Sequence, residues 1–225
     1  TINSAHTLLM QKKCKFGNEL QKKYENLCMK RLISIFVSVF IFLASIFMFS
    51  CVSVPGKKVS ISRNLTGTPV LSSESLYRYF VSVKPDCDRS QVRRLAEYYV
   101  KEASVEGINS DCAFAQMCLE TGYLSFGNLV VPEMHNYCGL GAMDAAHPGE
   151  WFETEQIGVR AHIQHLQAYA TTQDVPLKQE LVDPRYSWVH KAKYAETVFD
   201  LAGAWATDKL YGHKIDAILD KMEYF

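Results

Sequence analysis

The sequence predicts a mainly α-helical domain of the α+β class, in which one irregular lobe interrupts the helices. Apolar residues recur at helical spacing in five segments between residues 90 and 222. By contrast, residues 123–153 contain six glycines and prolines, which favours a loop with at most a small hairpin. The composition, 48% hydrophobic and 21% charged in 225 residues, is that of a folded chain with a substantial core.

The first 51 residues are predicted to lie outside this domain. Leu32 to Ser50 is a run of nineteen residues without a charge, preceded by Met29-Lys30-Arg31 and followed by Cys51. This order resembles the signal of a bacterial lipoprotein, in which Cys51 would carry the lipid, and a retained membrane helix is the alternative. Either interpretation exports the remaining chain to the bacterial cell envelope as a membrane-anchored protein. Because signal segments begin near the start codon, residues 1–28 are expected to be an upstream extension.

Charge is unevenly distributed along the chain. Residues 1–51 hold 7 of the 24 Lys and Arg residues and 2 of the 24 Asp and Glu residues, so residues 52–225 carry a net charge of −5. A body of that sign gives no electrostatic support to binding the phosphates of a nucleic acid. Four cysteines fall in the body, at positions 87, 112, 118 and 138, and the sequence leaves open whether two of them form a disulfide. None stands in the Cys-x-x-Cys spacing typical of zinc ribbons and thioredoxin-like proteins.

The elements follow one another after a linker. Residues 52–75 are rich in Ser, Gly, Pro and Thr without periodicity, which predicts a flexible linker, and residues 76–225 form the domain. Ser90 is placed to cap a first helix that ends near Gly107, and Asn109 or Ser110 to cap a second. The apolar spacing predicts helices over 90–107, 111–121, 156–170, 195 to about 205, and 211 to about 222.

Glu120 stands at the end of the second predicted helix, after the run AQMCL, which otherwise suits a protein core. Gly122 follows at a position where helices commonly end in a left-handed residue. The negative end of the helix dipole and partial burial both raise the pKa of such a carboxyl group. An acid that stays protonated near neutrality can protonate the oxygen of a leaving sugar. The alternative is a surface glutamate that merely ends a helix, or one paired with a buried arginine.

Five motifs in order, AQMCLETGYLSFGN, HNYCGLGA, GVRAHIQHLQAYA, VDPRY and WATDKLYGHKI, resemble the glucosaminidase domains of glycoside hydrolase family 73. The similarity extends from about Leu95 to the C-terminus. It implies a lysozyme-like fold, with Glu120 as general acid of an endo-β-N-acetylglucosaminidase that cleaves β-1,4 linkages in bacterial peptidoglycan. It also implies a monomer whose partners are glycan strands, without a cofactor or a metal.

The resemblance extends to further positions of the site. Asn136-Tyr137-x-Gly139 matches the family's Asn-aromatic-x-Gly turn beside the cleft, where an aromatic ring can stack on a sugar. Trp205 replaces the first tyrosine of the family's Tyr-Ala-Thr-Asp-x-x-Tyr segment, so a role that needs this hydroxyl would pass to Tyr211. Tyr137 and Tyr211 are equally compatible with packing in the core.

The second catalytic group stays open at this point. Hydrolysis with two carboxylates would draw on Asp144, Glu150 or Glu153, which follow the Asn-aromatic turn, and a substrate-assisted reaction would use the sugar's own acetamido group. Two other functions compete: a lytic transglycosylase with the same glutamate, and an inactive cell-wall-binding module.

His162 and His165 lack a third ligand at a recognisable spacing, so they are expected to pack or to line the groove. Cys118 and Cys138 lack the signature of a catalytic thiol.

Overall fold

The computed structural model describes residues 58–192 and 194–225, together with the single residue Met29. Within these ranges the chain is mainly helical, as predicted. The helices are α1 (Ser73–Val83), α2 (Arg89–Glu106), α3 (Ser110–Glu120), α4 (Glu155–Ala170), α5 (Tyr186–Ala192) and α6 (Tyr211–Met222), with one 3₁₀ turn at Pro132–Met134. The expected β component is absent from the described residues, where pairing is limited to isolated bridges such as Asp144 with His147.

Helix α3 is the centre of the domain. All of its residues from Ser110 to Cys118 are buried, and it contacts α1, α2, α4 and α6. A helix that is apolar on every side must be enclosed in this way, since it has no polar face to turn towards water. Its C-terminal residue, Glu120, is therefore held on a rigid element at the point where that element leaves the core.

Local capping explains where α2 and α3 begin. The side chain of Asp88, and not that of Ser90 as predicted, accepts hydrogen bonds from the backbone N–H groups of Ser90 and Gln91. The side chain of Asn109 caps α3 as predicted by accepting from the N–H group of Asp111. Asp88 suits this position because its charged oxygen accepts from two free N–H groups at the positive end of the helix dipole.

Three parts of the organisation differ from the predictions. Helices α1 and α5 are additional, and the helix predicted from residue 195 to about 205 is absent. In that segment the Asp200 side chain accepts from the backbone N–H and the hydroxyl of Thr197, and Gly203 has a left-handed φ of 82°. Both features are turn chemistry, which competes with helix formation.

Residues 58–72 pack on the domain, which corrects the prediction that they belong to a flexible linker. Ile61, Leu65 and Leu71 are buried. The backbone N–H group of Val59 donates to the backbone carbonyl of Glu223 over 2.9 Å. The backbone N–H group of Leu65 donates to the backbone carbonyl of Glu196, also over 2.9 Å. The alternation of apolar residues from Val59 to Ile61 is the signal of an extended, half-buried segment.

Two glycines allow helices to approach neighbouring backbone. A Cβ atom at Gly158 in α4 would lie 1.8 Å from the carbonyl oxygen of His135, and one at Gly212 in α6 would lie 2.5 Å from the Cα atom of Phe199. Neither distance is compatible with a side chain, so glycine is required at both places. The contact at Gly158 anchors the lobe, residues 123–153, against the helices.

The proposed signal segment, Cys51 and residues 1–28 lie outside the described residues, as does the start of the linker. Among the residues that are described, no helix is long and apolar enough to cross a membrane. Cys87, Cys112, Cys118 and Cys138 are all free thiols.

Candidate active site

A cleft of about 530 Å³ opens beside the C-terminal end of α3. We call it the main cleft. Its walls are the last residues of α3, the loop over residues 126–130, the lobe between residues 136 and 142, and the segment around Trp205. Among the described residues that line it, Glu120 is the only carboxylate. Any acid–base chemistry in this cleft therefore centres on one group.

Neutral donors hold Glu120. Its Oε1 atom accepts a hydrogen bond from Trp205 Nε1 over 3.0 Å and a second one from the hydroxyl group of Tyr211. In the part of the chain that the structure describes, Glu120 forms no salt bridge, so the alternative of a glutamate paired with a buried arginine is not observed. Burial raises the pKa of Glu120, and the hydrogen bonds from Tyr211 and Trp205 offset only part of this effect.

The other carboxyl oxygen, Oε2, faces the lobe. The position that a Cβ atom of Gly139 would take lies 4.0 Å from Oε2. Gly139 has a left-handed φ of 68°, which a residue with a side chain rarely adopts. Because Oε1 already accepts two hydrogen bonds, Oε2 is the oxygen that would carry the proton when Glu120 is neutral, and it lies next to the backbone of Gly139.

A buried chain of hydrogen bonds fixes the direction of the Tyr211 hydroxyl. Gln116 Nε2 donates to the Tyr211 oxygen over 2.8 Å, which leaves the hydroxyl proton free to point at Glu120. Gln116 Oε1 then accepts from His162 Nε2 over 3.0 Å, and His162 Nδ1 accepts from the hydroxyl of Tyr99 over 2.8 Å. Burial lowers the pKa of His162 to about 3, so every member of this chain is uncharged near neutrality.

The backbone turns sharply after Glu120. Gly122, Tyr123 and Leu124 all have left-handed φ values between 55° and 59°. The hydroxyl of Thr121 accepts from the N–H group of Leu124 over 2.9 Å, which holds the turn. Left-handed residues with side chains are costly and are often retained beside functional sites. The turn brings Gly122 and Phe126 to the rim of the main cleft.

Asn136 and Tyr137, the Asn-aromatic pair, have different positions. Asn136 is 1% exposed and folds the lobe, since its Nδ2 donates to the carbonyl of Leu140 over 2.8 Å and its Oδ1 accepts from the Leu140 N–H over 2.9 Å. It also borders the main cleft. Tyr137 is 1% exposed and lies in the core, so the prediction that its ring stacks on a sugar is wrong for this conformation.

Trp205 and Tyr211 converge on Glu120. Tyr211 is 6% exposed, and its ring packs in the hydrophobic core. The residue also borders the main cleft, where its hydroxyl donates to Glu120. The indole of Trp205 packs beside the rings of His165 and Tyr169, with ring centroids 4.9 and 5.3 Å away. The sequence shows the substitution of tryptophan in this segment but not its effect, which is an N–H donor to Glu120 beside the O–H donor of Tyr211.

The three candidates for a second carboxylate are not brought to Glu120. Asp144 is exposed and bonds to His147, and Glu153 is exposed. Glu150 packs over Gly141, where its Oε1 lies 3.0 Å from the position of a Cβ atom. None of the three lines the main cleft.

The two histidines of α4 have structural partners. His162 belongs to the neutral chain described above, and His165 Nδ1 lies 2.7 Å from Asp183 Oδ2. Within the described ranges there is no group of three or more His, Cys, Asp and Glu residues that could hold a metal ion.

A carboxyl group with a raised pKa, held by neutral donors at the wall of an open cleft, is the arrangement of a general acid such as glycoside hydrolases use. The sequence model of the glucosaminidase family, described as mannosyl-glycoprotein endo-beta-N-acetylglucosaminidase, matches residues 96–224. The chain therefore belongs to the glucosaminidase family, glycoside hydrolase family 73. It is also 42% identical over 152 residues to an uncharacterized protein of Borreliella burgdorferi, a match that covers 67% of this chain and 73% of the relative. No solved structure matches the chain.

Proposed function

We propose that the domain is an endo-β-N-acetylglucosaminidase that hydrolyses β-1,4 linkages of N-acetylglucosamine in peptidoglycan, with Glu120 as general acid. The observation that carries this proposal is the single carboxyl group among the described residues that line the main cleft, whose pKa is raised by burial and whose Oε2 faces the backbone of Gly139. The buried helix that ends at this acid beside a cleft supports a lysozyme-like arrangement. The protein would act as a monomer on glycan strands.

In the first step, Glu120 Oε2 gives its proton to the glycosidic oxygen, the bond from that oxygen to the anomeric carbon breaks, and the bonding electrons stay on the leaving sugar. Tyr211 and Trp205 already donate to Oε1, so they stabilise the carboxylate that forms without rearrangement.

Cleavage of this bond leaves a partial positive charge on the anomeric carbon, which a nucleophile must attack or an anion must stabilise. Because no second carboxylate of the described residues lines the main cleft, we favour attack by the sugar's own acetamido oxygen, one of the known exceptions to the use of two carboxylates. Water then opens the cyclic intermediate, and the Glu120 carboxylate takes back a proton from that water.

The test is the product of digestion of purified peptidoglycan, analysed by mass spectrometry. Reducing N-acetylglucosamine ends support the proposal. Anhydro sugar ends would contradict it in favour of a lytic transglycosylase, and binding without soluble fragments would favour an inactive wall-binding module. The Glu120→Gln protein serves as the inactive reference, and Glu97→Gln, at an exposed position of α2, is the matched control.

For the N-terminal part we propose a lipid anchor on Cys51, supported by the Met29-Lys30-Arg31 start and the uncharged run to Ser50. Metabolic labelling with a fatty acid should label the parent chain and the Cys87→Ala control, but not Cys51→Ala. Absence of label on the parent would contradict the lipid anchor and favour a retained membrane helix.

A further inference from the structure

A second cavity, of about 230 Å³, adjoins the main cleft. We call it the side pocket. The two cavities share the lobe residues Cys138, Gly139 and Ala142 and the indole of Trp205 as a common wall. The opposite wall of the side pocket comes from α4 and from the start of α5, and it includes Arg185 and Trp188. A chain of sugars in the main cleft would thus have the side pocket directly beside it.

The side pocket differs from the main cleft in charge. Arg185 contributes a guanidinium group, whereas no carboxylate of the described residues lines this pocket. The nearby carboxylate of Asp183 is 1% exposed and already occupied: Oδ2 lies 2.7 Å from His165 Nδ1, and Oδ1 accepts from the backbone N–H group of Arg185 over 2.8 Å. Within the described ranges, the Arg185 side chain forms no salt bridge with any carboxylate.

An exposed aromatic ring stands next to this cation. Trp188 is 57% exposed, and the guanidinium carbon of Arg185 lies 5.6 Å from its ring centroid. Tryptophan and arginine are the side chains most enriched in the energetically dominant parts of binding surfaces. An indole face packs on apolar parts of a ligand, while a guanidinium group forms two parallel hydrogen bonds with a carboxylate.

We propose that the side pocket binds a carboxylate carried by the glycan next to the scissile linkage, with Arg185 as its ion-pairing partner and Trp188 as its packing surface. This inference rests on the proposed function and names the substituent that the site selects. In peptidoglycan, such a carboxylate sits on the lactyl ether of the muramyl sugar or on the peptide attached to it. The side pocket adjoins the proposed acid, because Gly139 lines this pocket and also borders Glu120 Oε2.

The experiment compares Arg185→Gln with the control Arg78→Gln, a change at an exposed position of α1 away from both cavities. Each full-length protein digests three substrates: intact peptidoglycan, glycan strands freed of peptide by an amidase, and glycan whose carboxyl groups have been converted to amides. We expect Arg185→Gln to raise KM about tenfold on the native substrate that carries the recognised carboxylate, the worth of one charge-assisted contact, with kcat little changed. On the amidated glycan the two variants should be equal.

The substrates also distinguish the sources of the carboxylate. A loss that appears on the strands freed of peptide assigns the pocket to the lactyl group, because its carboxyl group is released from the amide bond to the peptide only there. A loss confined to intact peptidoglycan assigns the pocket to the peptide. An equal loss on native and amidated glycan, or no loss on either, would overturn the inference while leaving the proposed function intact.

Binding gives a readout that does not depend on turnover. The Glu120→Gln protein should sediment with native glycan more strongly than with amidated glycan, and adding Arg185→Gln should abolish this difference. The parent protein could cleave none of the substrates while Glu120→Gln still binds native glycan more strongly than amidated glycan. The proposed function would then fail, and the binding inference would stand. A circular dichroism melt of each variant ensures that a loss of binding does not reflect a loss of folding.

Discussion

Glu120 in the main cleft and Glu223 at the end of α6 are both withdrawn from solvent, yet their pKa values move in opposite directions. Glu120 has neutral partners, so burial dominates and raises its pKa. Glu223 accepts from Arg63 over 2.8 Å and pairs with Lys58 over 3.1 Å, and these cations lower its pKa to about 2. Beside neutral partners burial therefore sets the direction of the pKa shift of a carboxyl group, and beside cations the ion pairs set it.

Asp111 at the other end of α3 shows that a raised pKa does not by itself mark a catalytic group. Burial raises the pKa of Asp111 to about 6, although its Oδ2 accepts from the backbone N–H groups of Val70 and Leu71. Asp111 is fully buried, whereas Glu120 opens on a cleft. Access for a ligand is therefore the feature that separates a candidate acid from a structural one.

The largest effect is expected for Glu120→Gln. Glutamine keeps the shape but cannot supply the proton, so turnover should fall by about 10²–10⁴-fold. The free energy of unfolding of Glu120→Gln should equal or exceed that of the parent. In the parent, the folded-state pKa of Glu120 lies above that of the unfolded chain, so ionisation of Glu120 lowers stability as pH rises, and glutamine does not ionise. Peptidoglycan digestion and thermal melts at several pH values measure both effects. Digestion at a near-parent rate would contradict the assignment.

Tyr211→Phe should give the next largest effect. Removing the hydroxyl takes away a donor to the carboxylate that forms, which should lower turnover about tenfold to a hundredfold. It also removes a hydrogen bond that lowers the pKa of Glu120, so that pKa should rise further. Activity requires the protonated acid, so the alkaline limb of the pH–rate profile should move to higher pH. An unmoved limb would show that the hydroxyl does not act on Glu120.

Glu223→Gln should affect stability alone. Since Arg63 and Lys58 lie partly in solvent, we expect a loss of about 1 kcal/mol at pH 7 and unchanged activity. The folded-state pKa of Glu223 lies below that of the unfolded chain, so its contribution is present above the unfolded pKa and lost as pH falls towards 2. The melting temperatures of parent and variant should therefore converge near pH 2. A constant difference across this range would rule out the ion pair as the cause.

The smallest effect is expected for Tyr137→Phe. The Tyr137 hydroxyl is buried without a hydrogen-bond partner among the described residues, so its removal should be neutral or stabilise by up to about 1 kcal/mol. Turnover should not change, because the ring lies in the core. A selective rise in KM for Tyr137→Phe would instead place this side chain at the substrate.

The sequence predicts the centre of the domain better than its periphery. The bounds of α4 and α6 follow from the spacing of their apolar residues, and the end of α3 near Glu120 follows from the same spacing and from Gly122. Helix α1 carries the helical pattern Leu76, Tyr79, Phe80, but its serine-rich start resembles the linker before it. Helix α5 has only seven residues, too few to establish a period.

Part of the site could be predicted and part could not. Apolar neighbours and the helix end predict a raised pKa for Glu120, whereas the resemblance to the family, and not residue spacing, favours a general acid over a surface or arginine-paired glutamate. The neutral chain through Gln116 and His162 could not be found, because it joins α2, α3, α4 and α6 through contacts far apart in the sequence. Tyr137 shows the reverse problem: an aromatic residue in a motif can belong to the core as well as to a binding surface.

The neutrality of that buried chain has a consequence for ionic strength. Dissolved ions screen the interaction between charges, with a Debye length of about 10 Å at 0.1 M salt, but they do not screen the cost of burying a carboxylate. The pKa of Glu120 depends on burial and on uncharged donors, so the alkaline limb of activity should hold its position from dilute buffer to concentrated salt. The ion pairs of Glu223 should weaken over the same range of salt concentration. The free energy of unfolding of the domain should therefore fall while the pKa of Glu120 stays constant.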